Sequence, residues 1–286
     1  MNRRVVIVTR VLPVALGFYD ALRDAGDEPV ALLTIRDADG RYGNFDLGGM
    51  LGELPADLNV LLPARRSAIA PLLGSVEPDL VVCMGFPWKI PPDALAVPTH
   101  GWINGHPSLL PLHRGPVPVA WAIRDGDEEI GITFHRMDAE LDTGAILAQK
   151  TLEIGEYVEP EAFYPRMGVV VLETLKEALD TLTAGEPGTV QEGEGTYESF
   201  FTDDDATLDF SRPAAELHRL VWAWRYSIPR GRLHGALAAL DGATVRVLES
   251  SLTEVDGATR VECADGPLWL VKTEPAQAET PPAHPA

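Results

Sequence analysis

Residues 4–35, RVVIVTRVLPVALGFYDALRDAGDEPVALLTI, decide the fold class. RVVIVT at 4–9 is a continuous apolar run rich in β-branched residues, the pattern of a strand buried on both faces of a parallel sheet. An amphipathic segment follows over 14–25, stops near Gly26, and gives way to a second apolar run, VALLTI, at 30–35. Strand, helix and strand at this spacing predict a βαβ unit, and hence an α/β domain with a Rossmann-like, mostly parallel sheet. The first turn, TRVLPVALG, lacks the Gly-x-Gly-x-x-Gly fingerprint, which disfavours a nicotinamide dinucleotide.

Outward from that unit, residues 36–55 read as a loop with a short helix, and strands are predicted at 59–62, 79–84, 100–105, 129–137 and 146–154. Helices are predicted at 67–75, 116–125 and 160–183, the last kinked or delayed by Pro165 and Gly168. GFPWKIPP at 85–92 is too rich in proline for a helix, so it forms a stiff loop leaving a strand's C-terminal end. Open α/β sheets bind ligands at that edge. Phe86 and Trp88 either anchor this loop or line a pocket for a flat ligand.

The polar, Gly-rich run GEPGTVQEGEGTYESFFTDDDA marks a domain boundary. Beyond it a helix, RPAAELHRLVWAWRY, precedes short strands separated by Asp-Gly turns at 241–242, 256–257 and 265–266. The expected organisation is a catalytic domain over 1–190, a linker over 191–206, a small β-barrel over 207–272 and a disordered tail over 273–286.

Composition narrows the function. The 286 residues carry a formal net charge of −20, and no apolar run approaches bilayer length, so no membrane association is expected. Such a surface repels a phosphate backbone, because nucleic-acid affinity draws largely on Lys and Arg. The N-terminus faintly mimics a signal peptide, but Arg10 interrupts its apolar run. Cys83 and Cys263 lie far apart without metal-type spacing, which suits a reducing cytosol. The histidines at 100, 106, 113, 135, 218 and 234 show no ligand spacing, so no metal is expected.

The chemistry concentrates between Gly101 and Gln149, in GWINGHPSLLPLHRG and GITFHRMDAELDTGAILAQ. Asn104 and His106, two apart at the end of a strand, point to the same side. A turn over 138–144 delivers Asp142, a carboxylate able to orient an imidazole. No Ser or Cys nucleophile stands in register, which suits direct acyl transfer through a tetrahedral intermediate. Asn104 and His106 would then meet the oxyanion, and His106 with Asp142 would manage the proton. The alternative is a group of turn and capping residues with only local roles.

NGHPSLLPLHRG (104–115) followed by DAELDTGAIL (138–147) resembles the signature of the N10-formyltetrahydrofolate-dependent formyltransferases. The family acts on methionyl-tRNA, on glycinamide ribonucleotide, and on amino sugars and siderophore amines. The resemblance covers nearly the whole chain, with Thr207–Lys272 similar to an OB-like C-terminal domain. It implies Asn104, His106 and Asp142 as the catalytic triad and N10-formyltetrahydrofolate as co-substrate. It also implies a pterin beside the Met84–Ile90 loop and the Asp138–Asp142 turn, with Phe86, Trp88, Ile90, Asp138 and Leu141 as cofactor-binding residues. Ser108 and Arg114 match the motif; with His135 and Arg136 they are the candidates for the substrate side. A cis bond before Pro111 is implied too.

Two acceptors fit the resemblance. IRDADGRYGNFDLGG, where tRNA enzymes carry a basic insertion, is short and nearly balanced in charge, and the linker holds TDDDA. GITFHRMD resembles the amino-sugar enzymes. The preferred acceptor is therefore a small-molecule amine: a nucleotide-linked amino sugar, or an amino-acid amine such as hydroxyornithine. Methionyl-tRNA is the runner-up. Trp222, Trp224 and Tyr226 either stack on a base or sugar or pack into the barrel. A non-catalytic folate-binding relative is the alternative of another class, and association into a homodimer is compatible with either.

Overall fold

The computed structural model describes residues 2–36, 47–155, 159–227, 235–240 and 242–276. The centre of the insertion-like loop (37–46), His234, Asp241 and most of the expected tail (277–286) lie outside the described residues. The main sheet contains β1 (Arg4–Val8), β2 (Glu28–Leu33), β3 (Asn59–Leu61), β4 (Leu80–Cys83), β5 (Trp102–His106), β6 (Glu129–Arg136) and β7 (Ile146–Glu153). Its order is β3-β2-β1-β4-β5-β6-β7. The pairings from β3 through β5 are parallel, and β5–β6 is antiparallel. The chain moves outward from β1 to β3 and then returns to place β4 on β1's other side. The loops after β1 and β4 therefore open at the sheet's switch point, on the C-terminal edge of its parallel strands.

The helices are α1 (Leu12–Asp24), α2 (Leu47–Glu53), α3 (Ile69–Gly74), α4 (Pro92–Leu95), α5 (Pro118–Asp125), α6 (Pro160–Thr183) and α7 (Ala214–Arg225). Helix α1 carries proline in its first turn, where the missing N–H costs nothing, and buries Ala15, Phe18, Tyr19 and Leu22. Alternation along β1 sends Val5 and Ile7 into one core with α1 and α6, and Val6 and Val8 into a second core with α3. Each such fully buried side chain contributes roughly 1.5–3 kcal/mol. Helix α6 runs through Pro165 rather than starting after it. The hydrogen bond that Pro165 removes is one to Glu161, in the exposed first turn. The Leu110–Pro111 peptide bond is cis.

Two compact units are interleaved along the chain. One contains Met1–Arg114, Gly131–Leu152 and Glu161–Tyr197, and the other Gly115–Ile130, Glu153–Pro160 and Glu198–Ala286. The second unit holds β8 (Ala236–Leu240), β9 (Ala243–Ser251), β10 (Thr259–Cys263) and β11 (Gly266–Pro275), an antiparallel sheet in the order β10-β11-β9-β8. Register shifts in β11 near Lys272 curl it, consistent with the OB-like expectation. β11 continues through Pro275, past Lys272 where the barrel was expected to stop. Trp222, Trp224 and Tyr226 are buried, the packing alternative of the two expected for them. Trp224 meets Phe201 edge to face at 5.2 Å, and its indole N–H donates to the Asp205 carbonyl at 3.1 Å. Among the described residues, no helix is long and apolar enough to cross a membrane.

A histidine buried between α7 and β9 generates a prediction. His218 Nδ1 lies 2.6 Å from Ser250 Oγ, and burial, then the charge of Arg219, lowers its pKa from 6.5 to about 4. An imidazole whose pKa is lower in the folded state is protonated first in the unfolded chain. Its contribution to stability is complete above pH 6.5 and is lost progressively as the pH falls toward about 4. The melting temperature is expected to drop across that window, and His218→Gln to flatten the drop, as measured by calorimetry in matched buffers.

Candidate active site

Strands β5 and β6 and the turn after β6 build the site, with residues of the first unit. Asn104 and His106 share one face of β5, and the antiparallel register sets Asn104 opposite His135 and His106 opposite Thr133. The turn after β6 brings the carboxylate. Asp138 Oδ1 closes that turn by accepting from the Glu140 N–H at 3.0 Å and the Thr143 hydroxyl at 2.8 Å. Asp142 itself sits at φ 57°, a left-handed conformation costing about 1–3 kcal/mol for a residue other than glycine. Gly144 presses against β6 so closely that a Cβ would lie 1.9 Å from the Arg136 carbonyl oxygen.

The polar groups converge on that carboxylate. Asp142 Oδ1 lies 3.7 Å from His106 Nδ1, 3.5 Å from His135 Nε2 and 3.4 Å from Asn104 Nδ2. Tautomers follow from the partners, since a carbonyl oxygen only accepts. His106 Nε2–H donates to the His113 carbonyl at 2.8 Å, which turns Nδ1 toward Asp142. His135 Nδ1–H donates to the Arg136 carbonyl at 2.8 Å, leaving Nε2 to accept from the Asn104 amide at 3.2 Å. Burial lowers the pKa of His106 and outweighs the upward pull of Asp142. The imidazole is therefore neutral near pH 7, with an open lone pair beside a carboxylate able to stabilise its protonated form. That is the arrangement of a general base and its orienter.

The side chains expected at the acceptor are engaged within the fold. Ser108 is buried, and its hydroxyl donates to the Leu112 carbonyl at 2.7 Å. Arg114 Nη2 donates to Gln191 Oε1 at 2.7 Å. Arg136 donates to the Pro187 and Glu186 carbonyls at 2.9 and 3.1 Å. His135, another candidate for the substrate side, is 2% exposed and is hydrogen-bonded to Asn104. Three further side chains brace this region without having been expected there: Thr133 Oγ1 donates to the Ser108 carbonyl at 2.7 Å and accepts from Gln149 Nε2 at 2.7 Å, and Gln191 Nε2 donates to the Asp142 carbonyl at 2.9 Å. Thr133 lies two residues before His135, so alternation could have found it; Gln191 lies in a glycine-rich run with no signal.

The two segments expected at the pterin are neighbours: Lys89 Nζ lies 3.8 Å from Glu140 Oε2. Phe86 and Trp88 stand edge to face at 5.8 Å and are half-buried, whereas the Ile90 side chain lies in the core. Leu141 is 42% exposed on the facing turn. Aromatic faces, an exposed apolar side chain and polar turn backbone suit a flat heterocycle such as a pterin. Among the described residues, no group of three His, Cys, Asp or Glu side chains forms a metal cluster.

Comparison with known proteins agrees with this geometry. Residues 62–179 match the family described as Formyl transferase. Methionyl-tRNA formyltransferase of Myxococcus xanthus (strain DK1622) is 32% identical over 290 residues, covering 96% of this chain and 91% of that protein. Its counterpart in Roseiflexus sp. (strain RS-1) is 32% identical over 234 residues, covering 77% and 70%. HypX from Aquifex aeolicus in complex with tetrahydrofolic acid shares the fold, with a TM-score of 0.66 at 18% identity. That alignment takes in 97% of this chain, which spans only 45% of the HypX chain. A sugar N-formyltransferase from Shewanella sp FDAARGOS_354 aligns with a TM-score of 0.65 at 21% identity, covering 88% of this chain and 99% of that one. The chain belongs to the formyltransferase family, enzymes that take a one-carbon unit from N10-formyltetrahydrofolate.

The electrostatics predict a titration. Asp142 raises the pKa of His106, so Asp142→Asn should move the His106 midpoint to lower pH, as read by NMR of ring-labelled histidine. An unchanged midpoint would show that the two groups do not interact.

Proposed function

We propose that the chain formylates the amino group of methionyl-tRNA, with Asn104, His106 and Asp142 as the catalytic residues. The observation that carries the acceptor is the relationship to methionyl-tRNA formyltransferases through both units, at nearly full length on each side. When bound, the donor supplies an activated formyl carbon. Attack by a neutral amine places negative charge on the formyl oxygen and leaves an excess proton on nitrogen. The two N–H groups of the Asn104 amide face His135 Nε2 at 3.2 Å and Asp142 Oδ1 at 3.4 Å; the longer contact is the one that gives way, so that this N–H serves as donor for the oxyanion. His106 Nδ1 takes the proton, and Asp142 at 3.7 Å stabilises the imidazolium. As the adduct collapses, the bond from the formyl carbon to the donor's N10 breaks while the imidazolium returns its proton to that departing nitrogen, releasing tetrahydrofolate. Holding the reactants aligned can supply roughly 7–11 kcal/mol of the barrier. Both cysteines are free thiols, which suits a cytosolic location.

A small-molecule amine is the second reading, favoured by charge rather than by the relatives. The chain is at −20. Cations of the second unit already face carboxylates: Arg124–Asp205 at 3.1 Å, Arg212–Glu216 at 2.7 Å, Arg246–Glu274 at 3.2 Å and Lys272–Glu249 at 4.0 Å. Each such pair leaves less unbalanced charge for a phosphate, although surface pairs are weak enough to open.

Asn104→Ala should lower turnover by about 10²–10³. Near-normal turnover would remove Asn104 from the mechanism. The acceptor is decided by following tetrahydrofolate release with methionyl-tRNA beside a panel of amino-sugar nucleotides and hydroxyornithine. Efficient formylation of methionyl-tRNA, with a gel shift at physiological salt, supports the first reading; turnover confined to a small amine supports the second.

A further inference from the structure

We propose that Thr189–Tyr197 is a strap that positions the catalytic carboxylate and imidazole, with Gln191 and Thr196 as its positioning residues. The inference rests on the catalytic reading of Asp142 and His106 given above. At one end the strap pairs with the start of β7: Ile146 and Thr189 exchange backbone hydrogen bonds of 2.7 and 2.8 Å. Gln191 then reaches beneath the Asp142 turn. Its Nε2 donates to the Asp142 and Gly144 carbonyls, both at 2.9 Å, while its Oε1 accepts from Arg114 at 2.7 Å. Carbonyls only accept and a guanidinium only donates, so this amide has one satisfactory orientation.

At its other end the strap pairs with the loop that follows β5. Thr196 N donates to the Pro111 carbonyl at 3.2 Å, and Arg114 N donates to the Thr196 carbonyl at 3.2 Å. The His113 N–H donates to Thr196 Oγ1 at 2.8 Å. Gly195 makes this approach possible, since a Cβ there would lie 2.8 Å from Arg114 Nη1 and 2.9 Å from the Pro111 carbonyl oxygen. The strap therefore supports both partners of His106. Gln191 holds the left-handed turn that carries Asp142, and Thr196 holds His113, whose carbonyl fixes His106 Nε2. Arg114, the motif arginine, acts through Gln191.

The test uses the full chain and two readouts. The charged or titratable groups facing His106 are Asp142, His135 and His113, and of these Asp142 raises its pKa. Gln191→Leu removes both donors. Gln191→Glu keeps the side chain's length and its contact with Arg114, yet also has no N–H to give. Both variants should lose kcat by about 10–100-fold with KM little changed, the scale of a catalytic group displaced by about 1 Å. Both should also move the His106 titration to lower pH, because the carboxylate recedes. Thr196→Val should lower kcat in the same direction. Folded Gln191 variants with wild-type kcat and an unmoved His106 midpoint would overturn the proposal, and a lower melting temperature alone would count as that outcome. Should Gln191→Leu not fold, Gln191→Glu and Thr196→Val carry the measurement. The His106 titration needs no substrate. If the wild-type chain transfers no formyl group, the catalytic reading fails while the midpoint shift still decides whether the strap holds Asp142.

Discussion

The Asp142 carboxylate lies within 3.7 Å of two imidazoles and an amide, and its backbone adopts a conformation that an aspartate would not favour alone. A single anion shared by three groups has two consequences. It offsets part of the cost of protonating a buried His106, and it accepts from the Asn104 amide at 3.4 Å. Because His106 is desolvated, its neutral form prevails near pH 7. A base that is neutral at rest and stabilised when charged is what amine attack on an acyl carbon requires.

That geometry is set by topology as much as by composition. The parallel strands end at one edge, and the reversal between β1 and β4 opens that edge for the loop bearing Phe86 and Trp88. The sheet then changes direction: β6 runs antiparallel to β5, so its C-terminal residues His135 and Arg136 lie beside Asn104 and Ile103 of β5. His135 is thereby a cross-strand neighbour of Asn104, and the following turn returns Asp142 to the same place.

The surface and the site argue from different physics. Net charge acts over the Debye length and bears on which partners approach the chain. Asn104, His106 and Asp142 lie within a few ångströms of one another in a buried setting, where bulk charge matters little. For this reason the reaction follows from local geometry and family membership, whereas the acceptor rests on the relatives and on how far cations such as Arg212 and Lys272 are occupied by carboxylates.

The sequence by itself determined the α/β class, the sheet strands, the curled antiparallel domain and the three residues proposed for catalysis, Asn104, His106 and Asp142. Those features depend on local periodicity, turn chemistry and a short ordered motif. The unbroken course of α6 and the burial of Trp222 and Trp224 followed from packing, which single-segment patterns do not contain. Tertiary structure alone decided what Ser108, Arg114, His135 and Arg136 touch. It also decided that Gln191, in a stretch read as linker, is hydrogen-bonded to the turn that carries Asp142. Hydrogen bonds between residues nearly fifty positions apart depend on strand register and loop closure, and neither leaves a periodic trace in the chain.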